Sequence, residues 1–177
     1  MAIKKILNNQ WFFFFVIVLL LGLRFAMPER TGEIAMNLVD EAGDQLPGQI
    51  TDHADVVFLF SPQPDQKDCM ACLDELKYFE YLKNAYPEVR VSLVIDNSQD
   101  LYPNIADLIT RIRSEYNYGD AIYVDKSQSL ARKYHLISRS RVLLFDGAGS
   151  LYTIMDPDGV GKDKDRLMNY FDYAKKR

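Results

Sequence analysis

The sequence contains very little cysteine or histidine. Its 177 residues include two cysteines, Cys69 and Cys72, and two histidines, His53 and His135. Two cysteines three positions apart cannot build a framework of disulfides between distant segments, and a disulfide across so short a loop adds little stability. A structural zinc site needs four ligands, and the histidines have no paired spacing, so we expect no bound metal. The close cysteine pair therefore indicates local thiol chemistry.

Stretches rich in basic residues are also missing. After Arg30 the chain carries 17 lysines and arginines against 24 aspartates and glutamates, a net charge of −7. Because no segment gathers enough positive charge to bind a polyanion, we expect no nucleic-acid partner. We also expect no cofactor. Once an N-terminal segment is set aside, the remaining length is that of one ordinary domain.

An uncharged apolar run extends from Trp11 to Leu23 near the N-terminus. A bilayer core is about 30 Å thick, so the run spans it only if Arg24 snorkels to the interface. Lys4 and Lys5 precede the run, which predicts a cytoplasmic N-terminus and an extracytoplasmic remainder, periplasmic or at the cell surface. A cleaved signal peptide is the alternative, although the residues around Arg24 fit an A-x-A cleavage site poorly. We predict that residues 1–30 form a cytoplasmic tip and a single-pass transmembrane signal-anchor.

Residues 31–177 show alternating strand and helix patterns, which predict one domain. Short apolar or period-two runs indicate strands, and apolar residues spaced i, i+3, i+4 and i+7 indicate helices. The predicted strands are Ile34–Leu38, Val56–Phe60, Val89–Ile95, Ala121–Val124, Val142–Phe145 and Ser150–Ile154, and the predicted helices begin at Cys69, near Ile105, at Ser127 and near Lys162. Turns rich in Asp and Gly at residues 40–44 and 146–149 indicate hairpins. The order of elements predicts a mixed α/β sheet covered on both faces by helices.

The cysteine pair falls where the first of these helices is predicted to begin. The first turn of a helix presents unpaired N–H groups and the positive end of the helix dipole, which lower the pKa of a nearby thiol. Cys69 is therefore the candidate nucleophile, and Cys72, one turn later, is the candidate resolving thiol. Asp68 opposes this effect and Lys67 partly offsets it, so the net direction of the shift stays open.

Three stretches of the predicted domain share features with a known family. They are Asn37–Phe60, the Cys69-Met70-Ala71-Cys72 motif that opens a helix, and Ala121–Ile154 with its late Asp-Gly turn. In this order they resemble the thioredoxin-like proteins of the TlpA and AhpC/TSA redoxin type, over roughly residues 34–175. The resemblance implies a thioredoxin-like mixed sheet flanked by helices, with the CxxC pair exchanging disulfides with partner proteins.

Two features differ from the family pattern. Thioredoxin-like oxidoreductases usually carry a cis-proline just before the strand that corresponds to Val142–Phe145, and this sequence has Ser140 at about that position. The loop Ser61–Asp68 is several residues longer than the usual link, and it lacks the common aromatic residue before the first cysteine. The docking of substrates and the pocket around Cys69 are therefore expected to differ from those of the family.

These observations predict a membrane-anchored, extracytoplasmic thiol–disulfide oxidoreductase with Cys69 and Cys72 as its catalytic residues. Both directions of transfer, reduction and oxidation of the partner, are compatible with the pair. Two alternatives stay open. The first is a redox-inactive thioredoxin-fold binding module, which the missing cis-proline favours. The second is a peroxiredoxin-like thiol peroxidase in which Arg139 or Arg141 stabilises a thiolate, although the T-x-x-C pocket of that family is not matched.

Overall fold

A computed structural model describes residues 37–61, 73–100, 102–136, 139–157 and 162–175. Six strands form one mixed sheet in the order β1-β4-β3-β2-β5-β6. The strands are β1 (Leu38–Val39), β2 (Val56–Phe60), β3 (Val91–Asp96), β4 (Ala121–Asp125), β5 (Arg141–Phe145) and β6 (Leu151–Met155), and the helices are α1 (Glu75–Ala85), α2 (Ile105–Glu115), α3 (Ser129–Lys133) and α4 (Lys164–Lys175). The predicted alternation of strands and helices is confirmed from β2 onward, whereas residues 34–36 of the predicted first strand lie outside the described ranges.

The strand β2 lies at the centre of the sheet. It pairs in parallel with β3 and antiparallel with β5, and β3 pairs in parallel with β4. All five residues of β2 are buried, as expected for a short apolar strand covered on both faces. The final hairpin adds β6 antiparallel to β5 at one edge, and β1 pairs antiparallel with β4 at the other. This is the predicted mixed α/β sheet.

Two hydrophobic clusters cover the two faces of the sheet. Alternate residues of β2 divide between them, with Phe58 in the larger cluster and Leu59 in the smaller, because successive side chains of a strand point to opposite faces. The larger cluster takes its helical residues from α1, α2 and α4. The smaller cluster takes residues from α3 and from the segment between β1 and β2. Helices thus lie on both faces, as predicted.

Both predicted turns are built around an aspartate side chain. Asp40 Oδ1 accepts the backbone N–H groups of Ala42 and Asp44 at 2.9 and 2.8 Å. Asp146 Oδ1 accepts those of Ala148 and Ser150 at 3.0 and 2.9 Å. In each turn a glycine takes a positive φ, +89° at Gly43 and +77° at Gly149, which side chains with a Cβ rarely adopt. The two hairpins form because the side chain and the glycine together close the loop.

The helix ends that the structure describes lie close to the predicted positions. α1 ends at Ala85, directly before Tyr86 and Pro87, and α2 contains the predicted apolar stripe. α4 buries Leu167, Tyr170 and Phe171, as its spacing predicted. α3 begins at Ser129, two residues later than predicted, because the backbone N–H of Ser127 is bound by a side chain and Gln128 is left-handed.

Several predictions fall outside the residues that the structure describes. The segment 1–30, its boundary with the following domain, and the predicted start of α1 at Cys69 are among them. The described part of α1 begins at Glu75, and Asp74 before it already has right-handed helical dihedral angles. Within the described ranges, no helix combines the length and the apolar character needed to cross a bilayer.

Candidate redox site at the carboxyl edge of the sheet

Cys69 and Cys72 lie in the segment 62–72, which is outside the described residues. The structure does describe both ends of that segment, which we call the cysteine link. Ser61 directly follows the last residue of β2, and Leu73 is fully buried in the larger hydrophobic cluster. The cysteine link therefore leaves the carboxyl end of the central strand and returns to the core just before α1. In sheets with parallel strands, this edge is where reactive and binding groups collect.

Ser61, the residue at which the cysteine link begins, makes two hydrogen bonds to other strands. Its backbone N–H donates to Ser140 Oγ at 3.0 Å. Its hydroxyl donates to Asp96 Oδ2 at 3.0 Å. Ser61 is only 8% exposed and Asp96 only 6%, so both groups depend on protein partners rather than on water. The start of the cysteine link is thereby joined to β3 on one side and to β5 on the other.

Asp96 ends β3 and is a buried carboxylate with neutral donors. Besides the Ser61 hydroxyl, it accepts the backbone N–H of Ser98 at 3.0 Å and the Gln128 side-chain amide at 3.4 Å. In the part of the chain that the structure describes, no lysine or arginine forms an ion pair with it. Among the described residues, Asp96 is therefore held by neutral hydrogen-bond donors at the point where the cysteine link begins.

Asp125 ends β4 and pairs in register with Asp96. It is fully buried. Its Oδ1 accepts the backbone N–H groups of Ser127 and Ser129, both at 3.0 Å, and its Oδ2 accepts that of Leu130 at 2.9 Å. These N–H groups belong to the turn before α3 and to its first residues, where intrahelical partners are missing. Asp125 therefore stabilises the connection between β4 and α3 through hydrogen bonds from a buried position.

Gln128 follows Asp125 by three residues and has an uncommon backbone conformation. Its φ of +56° and ψ of +30° are left-handed, a conformation that residues with a side chain adopt infrequently. This conformation accompanies the hydrogen bond from its amide to Asp96. Strained residues of this kind persist where surrounding contacts hold them, and they are common at functional sites.

Ser140 immediately precedes β5, which is the position predicted from the family pattern. It is half-buried, and no cis peptide bond occurs in the described ranges, which include the Arg139–Ser140 bond. Its hydroxyl accepts the Ser61 N–H. Position 140 therefore lies against the start of the cysteine link, but with a trans peptide and a hydrogen-bonding side chain instead of a cis-proline.

The other candidate residues from the sequence are engaged elsewhere or exposed. Arg141 forms an ion pair with Asp156 and donates to the Ser140 carbonyl at 3.2 Å, and Arg139 is exposed. The His53 ring bonds the Pro47 carbonyl at 2.9 Å, and His135 is exposed. Among the side chains that the structure describes, no group of three or more could hold a metal ion.

The sequence analysis missed Asp96 and Gln128. A signal for Asp96 exists, since it directly follows the apolar run of a predicted strand. Alternating strands and helices favour parallel strands, and polar residues at the carboxyl ends of parallel strands meet at one sheet edge. No comparable signal exists for Gln128, because its contact depends on a left-handed backbone and on a residue 32 positions away.

Comparisons with known proteins identify the fold. No family model matches the sequence, and no curated protein matches it. Solved structures do match. A thioredoxin-like protein from Aeropyrum pernix has a TM-score of 0.56 and 16% identity, over 78% of this chain and 91% of that one. A putative thiol:disulfide interchange protein DsbE from Chlorobium tepidum has a TM-score of 0.54 and 13% identity, over 76% and 91%.

A third match is a secreted Mycobacterium tuberculosis disulfide oxidoreductase that is homologous to E. coli DsbE. It has a TM-score of 0.50 and 14% identity, over 73% of this chain and 93% of that one. At such identities the likeness concerns the fold. The chain has a thioredoxin-like fold, in agreement with the prediction from its sequence.

Proposed function

We propose that this protein is a membrane-anchored, extracytoplasmic thiol–disulfide oxidoreductase that uses Cys69 and Cys72. One observation carries the proposal. The only two cysteines of the chain, in CxxC spacing, lie in the link that leaves the carboxyl end of the central strand of a thioredoxin-like sheet. A CxxC pair is too closely spaced for a structural staple, so its place in the sequence directly after the central strand favours redox chemistry.

The proposed reaction exchanges one disulfide for another. The Cys69 thiolate attacks a disulfide of the partner protein, which forms a mixed disulfide and releases one partner thiolate. The Cys72 thiolate then attacks the Cys69 sulfur, which forms the Cys69–Cys72 disulfide and releases the second partner thiolate. The partner gains two electrons and the pair loses two. The reverse sequence oxidises a dithiol partner, and the redox potential of the pair decides which direction prevails.

Protein thiols or disulfides are the proposed substrates. Two of the structural matches support this class, since one is named a disulfide oxidoreductase and another a putative thiol:disulfide interchange protein. No additional cofactor is needed, because the electrons pass between sulfur atoms. A second protein that carries thiols or a disulfide returns Cys69 and Cys72 to their starting redox state.

The proposed location rests on the N-terminal sequence. The apolar run from Trp11 to Leu23, preceded by Lys4 and Lys5, has the pattern of an N-in anchor. A periplasmic or cell-surface location suits disulfide chemistry, because such compartments are oxidising. A reporter enzyme that is active only outside the cytoplasm, fused after Arg177, should be active. A fusion that is active only in the cytoplasm would contradict the topology.

A redox-inactive binding module is the second candidate. The observation that favours it is Ser140, which has a trans peptide and a side chain bonded to Ser61 where thioredoxin-like oxidoreductases carry a cis-proline. A peroxidase is less favoured, because Arg141 is engaged by the Asp156 carboxylate.

Thiol trapping distinguishes the oxidoreductase from the binding module. The full-length protein in detergent is equilibrated in glutathione buffers of defined ratio, and free thiols are then alkylated and counted by mass. We expect a reversible two-electron transition, and we expect Cys72→Ser to accumulate a mixed disulfide at Cys69. Cys69→Ser is the matched control and should accumulate none. Thiols that stay unreactive at every ratio would favour the binding module.

A further inference from the structure

We infer that a cleft beside β4 is a binding site for an alkylammonium group, from either a small primary amine or the side chain of a lysine. The cleft has a volume of about 410 Å³, and it is lined by residues that follow β1 and by the first three residues of β4. Polar and apolar side chains share the lining, among them Asp40, Gln45, Leu46, Pro47, His53 and Tyr123. None of them belongs to the candidate redox site, so the inference is independent of the cysteine pair.

Asp40 gives the cleft a carboxylate without a counter-charge. Its Oδ1 accepts the N–H groups of Ala42 and Asp44 in the turn after β1. Its Oδ2 accepts no hydrogen bond from the described residues, and none of their basic side chains forms an ion pair with it. Glu41, the other carboxylate of the lining, is instead paired with Arg113. One oxygen and one negative charge of Asp40 are therefore available to a ligand.

Tyr123 gives the cleft a hydroxyl group that has no partner within the described ranges. The residue is only 8% exposed, and its ring packs in the smaller hydrophobic cluster. Burial raises the pKa of this phenol, and the nearby Asp40 carboxylate raises it further, so the hydroxyl is protonated at neutral pH. Buried polar groups in folded proteins are nearly always hydrogen-bonded. A hydroxyl that the described side chains leave unpaired is thus available as a contact for a ligand.

The apolar part of the lining suits a short alkyl chain. Leu46 is 7% exposed and Ile122 is 1% exposed, and Pro47 and Ala121 lie beside them in the cleft. This space exists because β1 pairs with β4 only at its last two residues and leaves the first three unpaired on that side. An alkyl chain gains free energy by leaving water for such a surface, while its charged end stays at the polar groups.

The charge and the free acceptor atoms of the lining select an ammonium group. An anion is disfavoured, because Asp40 is negative and the chain after Arg30 has a net charge of −7. A guanidinium group prefers both oxygens of one carboxylate, and the turn already uses one oxygen of Asp40. An ammonium group is a compact charge with three donors. The lining offers it acceptors on Asp40, Tyr123 and Gln45.

A chemical-shift titration of the full-length, ¹⁵N-labelled protein in detergent tests the site. The probe is n-butylamine, and n-butanol is its neutral counterpart. We expect saturable shifts at the amide signals of Ala42 and Tyr123, with n-butanol binding at least about tenfold more weakly because it lacks the charge. Added salt should weaken the binding of the amine, since its attraction to Asp40 is electrostatic.

Three variants assign the binding to the cleft. Asp40→Asn keeps the Oδ1 acceptor that holds the turn and removes the charge, so we expect the affinity for n-butylamine to fall by about tenfold. Tyr123→Phe keeps the ring and removes the hydroxyl, and it should lower the affinity by about threefold. Asp44→Asn is the matched control, because it removes the same charge from the same turn at a residue that does not line the cleft. It should stay within about twofold of the native affinity.

A second probe, Nα-acetyl-lysine methylamide, distinguishes the two sources of the ammonium group. If both probes bind and both depend on Asp40, the ligand is a lysine side chain of another protein. If only n-butylamine binds, the ligand is a small amine, because the peptide groups of the lysine probe prevent its entry. Either result supports an ammonium site.

Four results would overturn the inference. They are the absence of saturable shifts with n-butylamine, equal binding of n-butanol, a native affinity in both Asp40→Asn and Tyr123→Phe, and an equal loss in Asp44→Asn and Asp40→Asn. If Asp40→Asn does not fold, Tyr123→Phe decides, and a native affinity in that variant counts against the site. The thiol-trapping experiment has no bearing on these outcomes, so the proposed function and this inference succeed or fail separately.

Discussion

Asp96 and Asp125 end neighbouring parallel strands and pair in register, yet they bind different kinds of partner. Asp125 accepts backbone N–H groups from residues two, four and five positions later. Asp96 has one such local bond, to Ser98, and its other partners are side chains 32 and 35 positions away. Asp96 and Asp125 therefore have different structural roles, although they occupy equivalent positions at the ends of neighbouring strands.

The comparison separates a local structural role from a role at the candidate site. Asp125 stabilises the turn that follows its own strand, much as Asp40 and Asp146 do in the exposed hairpins. Asp96 instead connects β3 with the end of β2 and with Gln128, at the edge where the cysteine link begins. Removing Asp125 should chiefly change stability, whereas under the proposed function altering Asp96 should chiefly change the thiol chemistry.

The largest expected effect is that of Asp125→Ala on stability. The substitution leaves the buried N–H groups of Ser129 and Leu130 without their acceptor, so we expect the free energy of unfolding to fall by about 2–4 kcal/mol. Denaturant unfolding of the full-length protein in detergent measures this. Asp146→Ala is the matched control, because its aspartate plays the same role in a more exposed turn, and it should cost about 1 kcal/mol or less. Equal losses of stability in the two variants would show that the burial of Asp125 does not increase the cost of losing its hydrogen bonds.

The next effect is that of Asp96→Asn, where stability and redox behaviour should separate. Asparagine keeps one acceptor oxygen and loses the charge, so we expect a stability loss of about 1 kcal/mol. Under the proposed function the equilibrium constant with glutathione should change as well, since the substitution alters the acceptor of the Ser61 hydroxyl at the residue where the cysteine link begins. The comparison between the two aspartates breaks down if Asp96→Asn destabilises the protein as strongly as Asp125→Ala and leaves the thiol equilibrium unchanged.

The smallest expected effect concerns the titration of a third buried residue, Tyr118. Tyr118 is 4% exposed, and burial raises its pKa far above the ordinary value. The folded protein therefore holds the phenol neutral at a pH where the unfolded chain releases the proton. This contribution is fully present below about pH 10 and is lost as the pH rises beyond it.

Tyr118→Phe removes this titration, so we expect a flatter decline of stability above about pH 10 and little change in its pH dependence near neutrality. Unfolding by denaturant at a series of alkaline pH values measures the slope. Tyr81→Phe, at a side chain that is 70% exposed, is the control for the exchange itself. An alkaline slope that is the same in the native protein and in Tyr118→Phe would show that other groups cause the decline.

Most of the fold was predictable because its signals are local. The apolar run Val56–Phe60, the helical spacing of Leu167, Tyr170 and Phe171, and the Asp-Gly turns each depend on residues within a few positions of one another. Their strands, helix face and hairpins are confirmed. The candidate site was only partly predictable. Cys69 and Cys72 were found by their spacing, and their roles stay predictions.

The chain by itself determined which of the described segments become strands, helices and turns, and its order of residues put both cysteines after the central strand. It also determined that Ser140, and not proline, precedes β5. Only the tertiary structure decided that Ser61 contacts Asp96 and Ser140, and that Gln128 reaches Asp96 from a left-handed backbone. The physical reason is that periodicity reports each segment's own burial, whereas these contacts depend on which strand lies beside which and in what register.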